Sequence, residues 1–381
     1  MRATALAGDA RARRWRPAER RSKSATKNLL HGPSMTRLTL VRPDDWHLHL
    51  RDGARLASVA KHTAAVFARA IVMPNLVPPV ETVEQAHEYR GRILAALGPT
   101  RFEPLMTLYL TERTSVAEVQ RAKLDPHVHA IKLYPAGATT NSEAGVRRLS
   151  ALYPVLEAMA DVGLPLLIHG ETTDPATDVF DREARFVEET LAPLVERFAG
   201  LKVVLEHITT REAADFVGGA RPGVAATITA HHLLYNRSAM FRGGVRPDLY
   251  CLPILKRETH RQALVRAATS GDPRFFLGTD SAPHARSAKH AACGCAGIYT
   301  AHAALPLYAE VFEAAGALDR LEAFASFFGA DFYGLPRNTD RVELVREAWQ
   351  VPAEYDFGGE PLTPLRAGES VAWRLVDPAS I

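Results

Sequence analysis

Cysteine is scarce in this chain of 381 residues, with only Cys251, Cys293 and Cys295 present. Three thiols cannot build a disulfide framework, which fits a reducing compartment. Cys293-Gly-Cys295 is also too short for a zinc knuckle and lacks a second pair, so it reads as a loop feature. No apolar run approaches the roughly 18 residues of a membrane span, and no membrane segment is expected. No G-x-G-x-x-G follows a strand-like run, which counts against a dinucleotide-binding sheet. Net charge is small, +3, and unevenly held. Residues 1–34 carry nine Lys/Arg against two acids, which leaves the remainder at about −4, so no nucleic-acid footprint is expected on the body.

That leader is rich in Arg and Ala, ends in Gly32-Pro33-Ser34, and lacks the apolar stretch of a secretory signal. A mis-assigned start, with Met35 as the true one, is the preferred reading. A disordered basic tail and an organellar targeting peptide are the alternatives.

What the chain has in quantity is apolar sequence, 47% against 23% charged residues, ample for a large core. From Thr36 onward eight short apolar runs alternate with helical patterns: 38–50, 70–73, 104–110, 130–134, 165–169, 202–207, 224–229 and 274–278. Thr82-Val-Glu-Gln85 reads as a capping box opening a helix that stops at Gly98-Pro99, and Thr209-Thr-Arg-Glu212 as a second, ending near Gly218. Phe186, Leu191, Leu194, Val195 and Phe198 share one helical stripe, although Pro193 interrupts it. Eight strands alternating with helices predict an α/β fold, a (β/α)8 TIM-type barrel. The expected organisation is a leader over 1–34, the barrel over 35–345, and a C-terminal extension over 346–381 packed on the barrel.

In such a barrel active sites form at the C-terminal ends of the strands. Six of the eight runs finish on residues with chemistry to offer: His47, His49 and Arg51, then Asn75, Lys132, His169, His207 and Asp280. In Asp45-Trp-His-Leu-His-Leu-Arg-Asp52, read as a strand, period two sends His47, His49 and Arg51 to one face and Leu48 and Leu50 to the other. Unpaired imidazoles and a guanidinium are poor core material, so a shared metal with an anion site beside it is the better use. Four histidines, a lysine and an aspartate at one barrel mouth can hold two divalent ions, and imidazole with carboxylate suits zinc.

Lys132 is the odd member, because an ammonium repels cations. As a neutral amine it can take up carbon dioxide, and the resulting carbamate has two oxygens able to bridge both ions. Asp280 is placed to accept a proton from a water acidified by the metals and pass it to a leaving nitrogen; its bland role is a turn cap. Arg51, Asn75 and His284 suit a carboxylate and an amide. The segment Gly137-Ala-Thr139-Thr140-Asn141 has the composition of a lid, or of an ordinary surface loop. His231 and His232 read as core or rim histidines, and His62, His87, His127, His129, His260, His290 and His302 as surface or helix residues.

Asp45–Gly53, Val72-Met-Pro-Asn75, Lys132-Leu-Tyr-Pro135, Leu167–Glu171, Glu206-His-Ile-Thr-Thr210 and Gly278–His284 together resemble the signature segments of the dihydroorotases, in the compact homodimeric bacterial type of the amidohydrolase superfamily. The resemblance spans Thr36 to Leu344. It implies reversible closure of N-carbamoyl-L-aspartate to (S)-dihydroorotate, a step of pyrimidine (UMP) biosynthesis, in a cytoplasmic homodimer. It further implies two Zn2+ per subunit: His47, His49 and Asp280 on one, His169 and His207 on the other, with Lys132 carboxylated on Nζ as the bridge. Asp280 would be the catalytic acid and base. Arg51, Asn75, His169, Leu252, His284 and Ala296 would contact substrate, and Thr139 and Thr140 would close over it. Two features depart from the pattern: the leader, and Gly137 where an asparagine is common. The competing readings are a dihydropyrimidinase or hydantoinase, and a barrel scaffold without chemistry. Only about ten residues separate Met35 from His47, too few for the sandwich of the first, and no expected ligand is missing as it would be in the second.

Overall fold

The computed structural model describes residues 36–376 apart from Cys293; the leader, Cys293 and the readings placed on them lie outside the described residues. Contacts divide the chain into Met1–Met35 and Thr36–Ile381, and the barrel belongs to the second unit.

Eight parallel strands hydrogen-bond in chain order into one sheet. They are Asp45–Leu48, Arg69–Val72, Glu103–Tyr109, Val128–Leu133, Leu166–His169, Val203–Glu206, Val224–Ile228 and Phe275–Leu277, joined mostly through helices. Nearly all their residues are buried, as expected for strands covered on both faces, which is why they read as short continuous apolar runs. The sheet curls until its last strand meets its first. Asp280 N–H donates to the His47 carbonyl (2.9 Å) and His49 N–H to the Ser281 carbonyl (3.2 Å). The buried carboxylate of Asp45 locks the same seam, accepting from Thr279 N–H (2.9 Å), Thr279 Oγ1 (2.6 Å) and His47 N–H (3.2 Å). The (β/α)8 barrel predicted from the alternation is the fold observed.

A dry layer fills the barrel interior with one residue from every strand: Trp46, Ile71, Leu105, Ala130, Leu167, Val204, Ala225 and Phe276. The helix Phe328–Tyr333 packs on this layer, Tyr333 stacking on Trp46 with centroids 4.7 Å apart, and any side-chain carbon at Gly329 would collide with the Trp46 indole. Two residues further along the fourth, fifth and sixth strands come Lys132, His169 and Glu206 in place of apolar side chains. The site therefore begins where the hydrophobic filling stops.

Two sequence expectations need correction. The run 38–50 is not one strand. Arg37–Val41 pairs antiparallel with Arg341–Val345, which also pairs with Arg374–Leu375, and this small sheet is separate from the barrel. Pro43, which has no N–H to give a ladder, lies between the two pieces. The barrel strand ends at Leu48, so His49 and Arg51 lie just past it, and a register shift between Asp45 and Leu48 lets Trp46 face the interior with His47. The second capping box is not formed. Thr210, not Thr209, caps the helix Arg211–Gly219, its hydroxyl oxygen accepting from Ala213 N–H (3.2 Å), and both threonine hydroxyls donate to the buried Glu183 (2.7 and 2.6 Å).

Other local readings agree with the structure. Thr82 and Gln85 form a reciprocal capping box on Val83–Leu97, which ends at Gly98. The stripe through Phe186 and Phe198 is buried, and the chain passes Pro193 by a π-turn at Val187–Leu191 followed by Ala192–Arg197. Of the histidines assigned to surface or helix, His129 instead belongs to the strand Val128–Leu133. Beyond Arg346 the described residues form short strand pairs anchored on the barrel unit by Leu365 N–H to the Tyr299 carbonyl (2.9 Å) and Gly358 N–H to Ser58 Oγ (3.2 Å).

The seam makes a stability prediction. Asp45→Ala leaves the buried N–H groups of His47 and Thr279 without their acceptor, at about 1–3 kcal/mol each. Chemical denaturation should show a loss of about 3 kcal/mol or more, and a loss below about 1 kcal/mol would show that Asp45 does not hold the seam.

Candidate metal centre and substrate cavity

His47, His49, Lys132, His169, His207 and Asp280 come from the first, fourth, fifth, sixth and eighth strands or the turns just past them, and none is more than 8% exposed. His47 Nε2 lies 3.3 Å from His49 Nε2 and 3.4 Å from Asp280 Oδ1, and His49 Nε2 lies 3.1 Å from the same oxygen. The His207 ring sits with its centroid 4.9 Å from those of both His47 and His169. Lys132 Nζ contacts Glu206 Oε2, which is also 3.0 Å from His47 Nδ1. His169 Nε2 is 2.7 Å from Glu171 Oε2. The structure thus gathers all six predicted residues in one cluster.

Burial sets the protonation of this cluster. It lowers the His47 pKa to about 3, helped by the nearby Lys132 charge, and lowers those of His49 and His207 as well. The same desolvation brings Lys132 well below the usual ammonium range. Asp280 goes the other way: burial opposes its charge, but hydrogen bonds from His47 and His49 hold it well below the usual carboxylate range. These shifts favour neutral imidazoles at His47, His49 and His207 and a carboxylate at Asp280, the forms that bind metal, and move Lys132 toward the neutral amine that can react.

The donor set also fits cations by what it leaves undone. His49 Nδ1, His207 Nδ1, Glu171 Oε1 and Glu206 Oε1 are buried without a hydrogen-bond partner, a costly state for a protein interior. The side chains of His47, His49 and Asp280, and those of His47, Glu206 and His207, each bring three ligand atoms close enough to share an ion. His207 (φ 44°) and Asp280 (φ 43°) hold left-handed backbone, as does Arg51 (φ 60°), strain that tends to collect at functional sites. A Cβ at Gly278 would lie 2.7 Å from Thr227 Cβ and 3.1 Å from His47 Cβ, so only glycine leaves room for that imidazole.

Beside the cluster lies a cavity of about 20 Å3 lined by His49, Arg51, Asn75, Tyr134, Thr139, Thr140, His169, His207, Leu252, Asp280, Ala282, Ala296 and Gly297. Of the expected substrate contacts only His284 stands back from it, with Nε2 2.9 Å from Arg51 Nη2 and 3.0 Å from the Ala296 carbonyl. His284 instead lines an outer cavity of about 440 Å3 with Arg51, Arg55, Arg92, Thr140 and Phe357. The 139–141 segment lies between the two. Asn75 Nδ2 donates to the Thr140 carbonyl (3.1 Å), Asn141 Nδ2 to the Asn75 carbonyl (3.1 Å), and Thr140 Oγ1 to the Ala296 carbonyl (3.4 Å).

Sequence reasoning missed Glu206, Glu171 and Tyr134 as members of the site. Glu206 was findable, since it ends a strand two residues after the interior Val204. Glu171 lies past its strand and carried no such signal. Phe357 in the outer cavity comes from the extension and was equally silent. A second imidazole–thiol group, His231, His232 and Cys251, also lies buried. His232 already bonds Thr229 Oγ1 (2.7 Å) and the Pro253 carbonyl (2.9 Å), which leaves it packed at the rim with a fixed tautomer.

The chain matches the Amidohydrolase family over residues 39–371. It is 64% identical over 343 residues to a dihydroorotase of Methylobacillus flagellatus, covering 90% of this chain and 99% of that one. Among solved structures it is similar to a dihydroorotase of Campylobacter jejuni (37% identity, TM-score 0.82, 92% and 99% of the two chains). It is also similar to that of Saccharomyces cerevisiae in complex with 5-fluoroorotic acid (33% identity, TM-score 0.81, 89% and 98%). With eight parallel strands around a buried cluster of potential metal ligands, this chain belongs to the amidohydrolase family and, within it, to the dihydroorotases.

Proposed function

We propose that the chain interconverts N-carbamoyl-L-aspartate and (S)-dihydroorotate, the cyclic-amide step of pyrimidine synthesis, as a cytoplasmic homodimer holding two zinc ions per subunit. The observation that carries the chemistry is the convergence of four imidazoles, Lys132 and Asp280 beside a cavity that Arg51 enters. His47, His49 and Asp280 would hold one ion, and His169 with His207 the other. Lys132 would bridge them as its carbamate: the neutral amine attacks carbon dioxide, a C–N bond forms, and the nitrogen loses a proton to leave an anion. Bound there, the ions supply acidified water and polarise the amide carbonyl.

The rest falls to the chain. Asp280 holds the proton that must reach the ring nitrogen when the amide opens and takes it back when the ring closes. Hydrogen bonds from His47 and His49 outweigh burial and hold its pKa well below the usual carboxylate range, which supports the accepting form. Arg51 offers its guanidinium to the substrate carboxylate, with Asn75, Leu252, His284 and Ala296 completing that wall. Thr139 and Thr140 shut the cavity against water. The orotate analogue bound by the yeast relative is likewise a six-membered ring bearing a carboxylate, which supports this assignment. A hydantoinase or dihydropyrimidinase reading has the same cluster available, but its neutral rings give Arg51 nothing to bind.

Purified protein should contain close to two zinc equivalents per chain and cyclise carbamoyl-aspartate. Faster turnover of hydantoin or dihydrouracil than of dihydroorotate would overturn the substrate assignment. Lys132→Ala should lose metal and turnover together, with partial recovery in short carboxylic acids; full metal content in that variant would exclude the bridge. Asp280→Ala should retain most of its metal yet fall by about 100-fold or more in kcat, the scale of general acid–base catalysis, and near-normal kcat would remove Asp280 from that role.

A further inference from the structure

Lys289 is a second buried lysine, 5% exposed, and the chemistry above leaves it unused. Its ammonium donates to three backbone carbonyls, those of Tyr250 (2.6 Å), Cys295 (3.0 Å) and Gly297 (2.8 Å). An ammonium has three N–H donors, so the set is complete without a carboxylate. Burial brings its pKa down to about 8, a measure of what enclosing this charge costs. A charge held at such cost by carbonyls alone calls for a reason.

The reason lies in which carbonyls are held. Tyr250 precedes Leu252 by two residues, and Cys295 and Gly297 flank Ala296; Leu252, Ala296 and Gly297 all line the inner cavity. The two segments are also tied directly, Gly297 N–H donating to the Tyr250 carbonyl (3.0 Å). The carbonyl of Ala296 lies between the two that Lys289 holds. That carbonyl is the one met by His284 Nε2 (3.0 Å) and by Thr140 Oγ1 (3.4 Å). Gly297, at φ 150°, leaves no slack, since a Cβ there would lie 2.6 Å from the Ala282 carbonyl oxygen and 2.9 Å from His284 Cδ2.

We propose that Lys289 is a positioning residue for substrate binding: by gathering the carbonyls of Tyr250, Cys295 and Gly297 it presents the Ala296 wall, and through it orients His284 and receives the 139–141 segment. Lys289 touches neither the metal ligands nor the cavity, so it acts on the affinity for the bound ring and not on the chemical step. The proposal rests on the dihydroorotase reading for its substrate, and its structural half can be measured without turnover.

The test is Lys289→Met in the full-length zinc-loaded protein, with Lys289→Gln, which keeps two donors without a charge, as a second variant. KM for dihydroorotate should rise about 10-fold with kcat within about threefold and zinc content unchanged, matching the loss of one well-placed set of hydrogen bonds. Gln should recover part of the KM, and amide exchange at Cys295 and Gly297 should quicken about 10-fold in the Met variant. An unchanged KM, or a fall in kcat at constant KM, would overturn the proposal, as would failure of both variants to fold with their zinc, which would make Lys289 a structural residue. Unchanged exchange would overturn it whatever the activity, whereas a wild-type protein inactive on dihydroorotate but normal in exchange behaviour would sink the substrate reading instead.

Discussion

The barrel has to close, and the residues that close it are the candidate metal ligands. Asp280 N–H bonds the His47 carbonyl and His49 N–H bonds the Ser281 carbonyl, so three ligand-bearing residues are fixed by backbone hydrogen bonds across a single seam. Their side chains then have little freedom: Nε2 of both histidines lies within 3.4 Å of one Asp280 oxygen. Asp45 ties the same seam from below through Thr279. A seam that slipped by one residue would turn the alternating side chains to opposite faces and disperse the site. Closure and ligand geometry are one constraint.

That constraint explains how so many polar groups can be buried above a dry layer. Lys132, His169 and Glu206 sit one pleat above Ala130, Leu167 and Val204. Enclosing unpaired charge costs several kcal/mol per group, and burial lessens this by moving His47, His49, His207 and Lys132 toward their neutral forms. The partnerless atoms of His49, His207, Glu171 and Glu206 are the residue of that cost, and cations recover it. The cluster is therefore poor as a core and good as a ligand cage, which is the trade expected where local rules are broken for function.

Much of this was legible in the sequence because the chemistry falls at predictable places. Strand ends carry the ligands, and the alternation of apolar runs with capped helices such as Thr82–Gln85 gives the barrel. What escaped notice depended on tertiary context. Pro43 marks a break in the run, but nothing local assigns Leu38–Val41 to a separate sheet, since the partner Arg341–Val345 lies some 300 residues away. Thr209 looks as good a cap as Thr210, and the buried Glu183, far away in sequence, takes the N–H and hydroxyl of both. Lys289 offered no signal in the sequence, and only the fold brings three carbonyls to it. Phe357 carries no motif at all; its place by the outer cavity comes from how the extension is laid down.

The two cavities show how entry must work. An inner space of about 20 Å3 holds about one water and no six-membered ring, so the proposed substrate needs its wall to move. The 139–141 segment, proposed as the part that moves, is held by Asn75 to Thr140, Asn141 to Asn75 and Thr140 to Ala296. At a net worth of about 1 kcal/mol each, these bonds sum to about 3 kcal/mol, which leaves an open population on the order of 1%. That is loose enough to admit substrate and firm enough to exclude water once it is bound. Opening would join the inner space to the outer cavity, where Arg92 is paired with Asp52 (2.9 Å) and Arg55 with Glu360 (2.7 Å). Arg51, which lines both spaces, is then the residue that would draw the proposed anionic substrate inward.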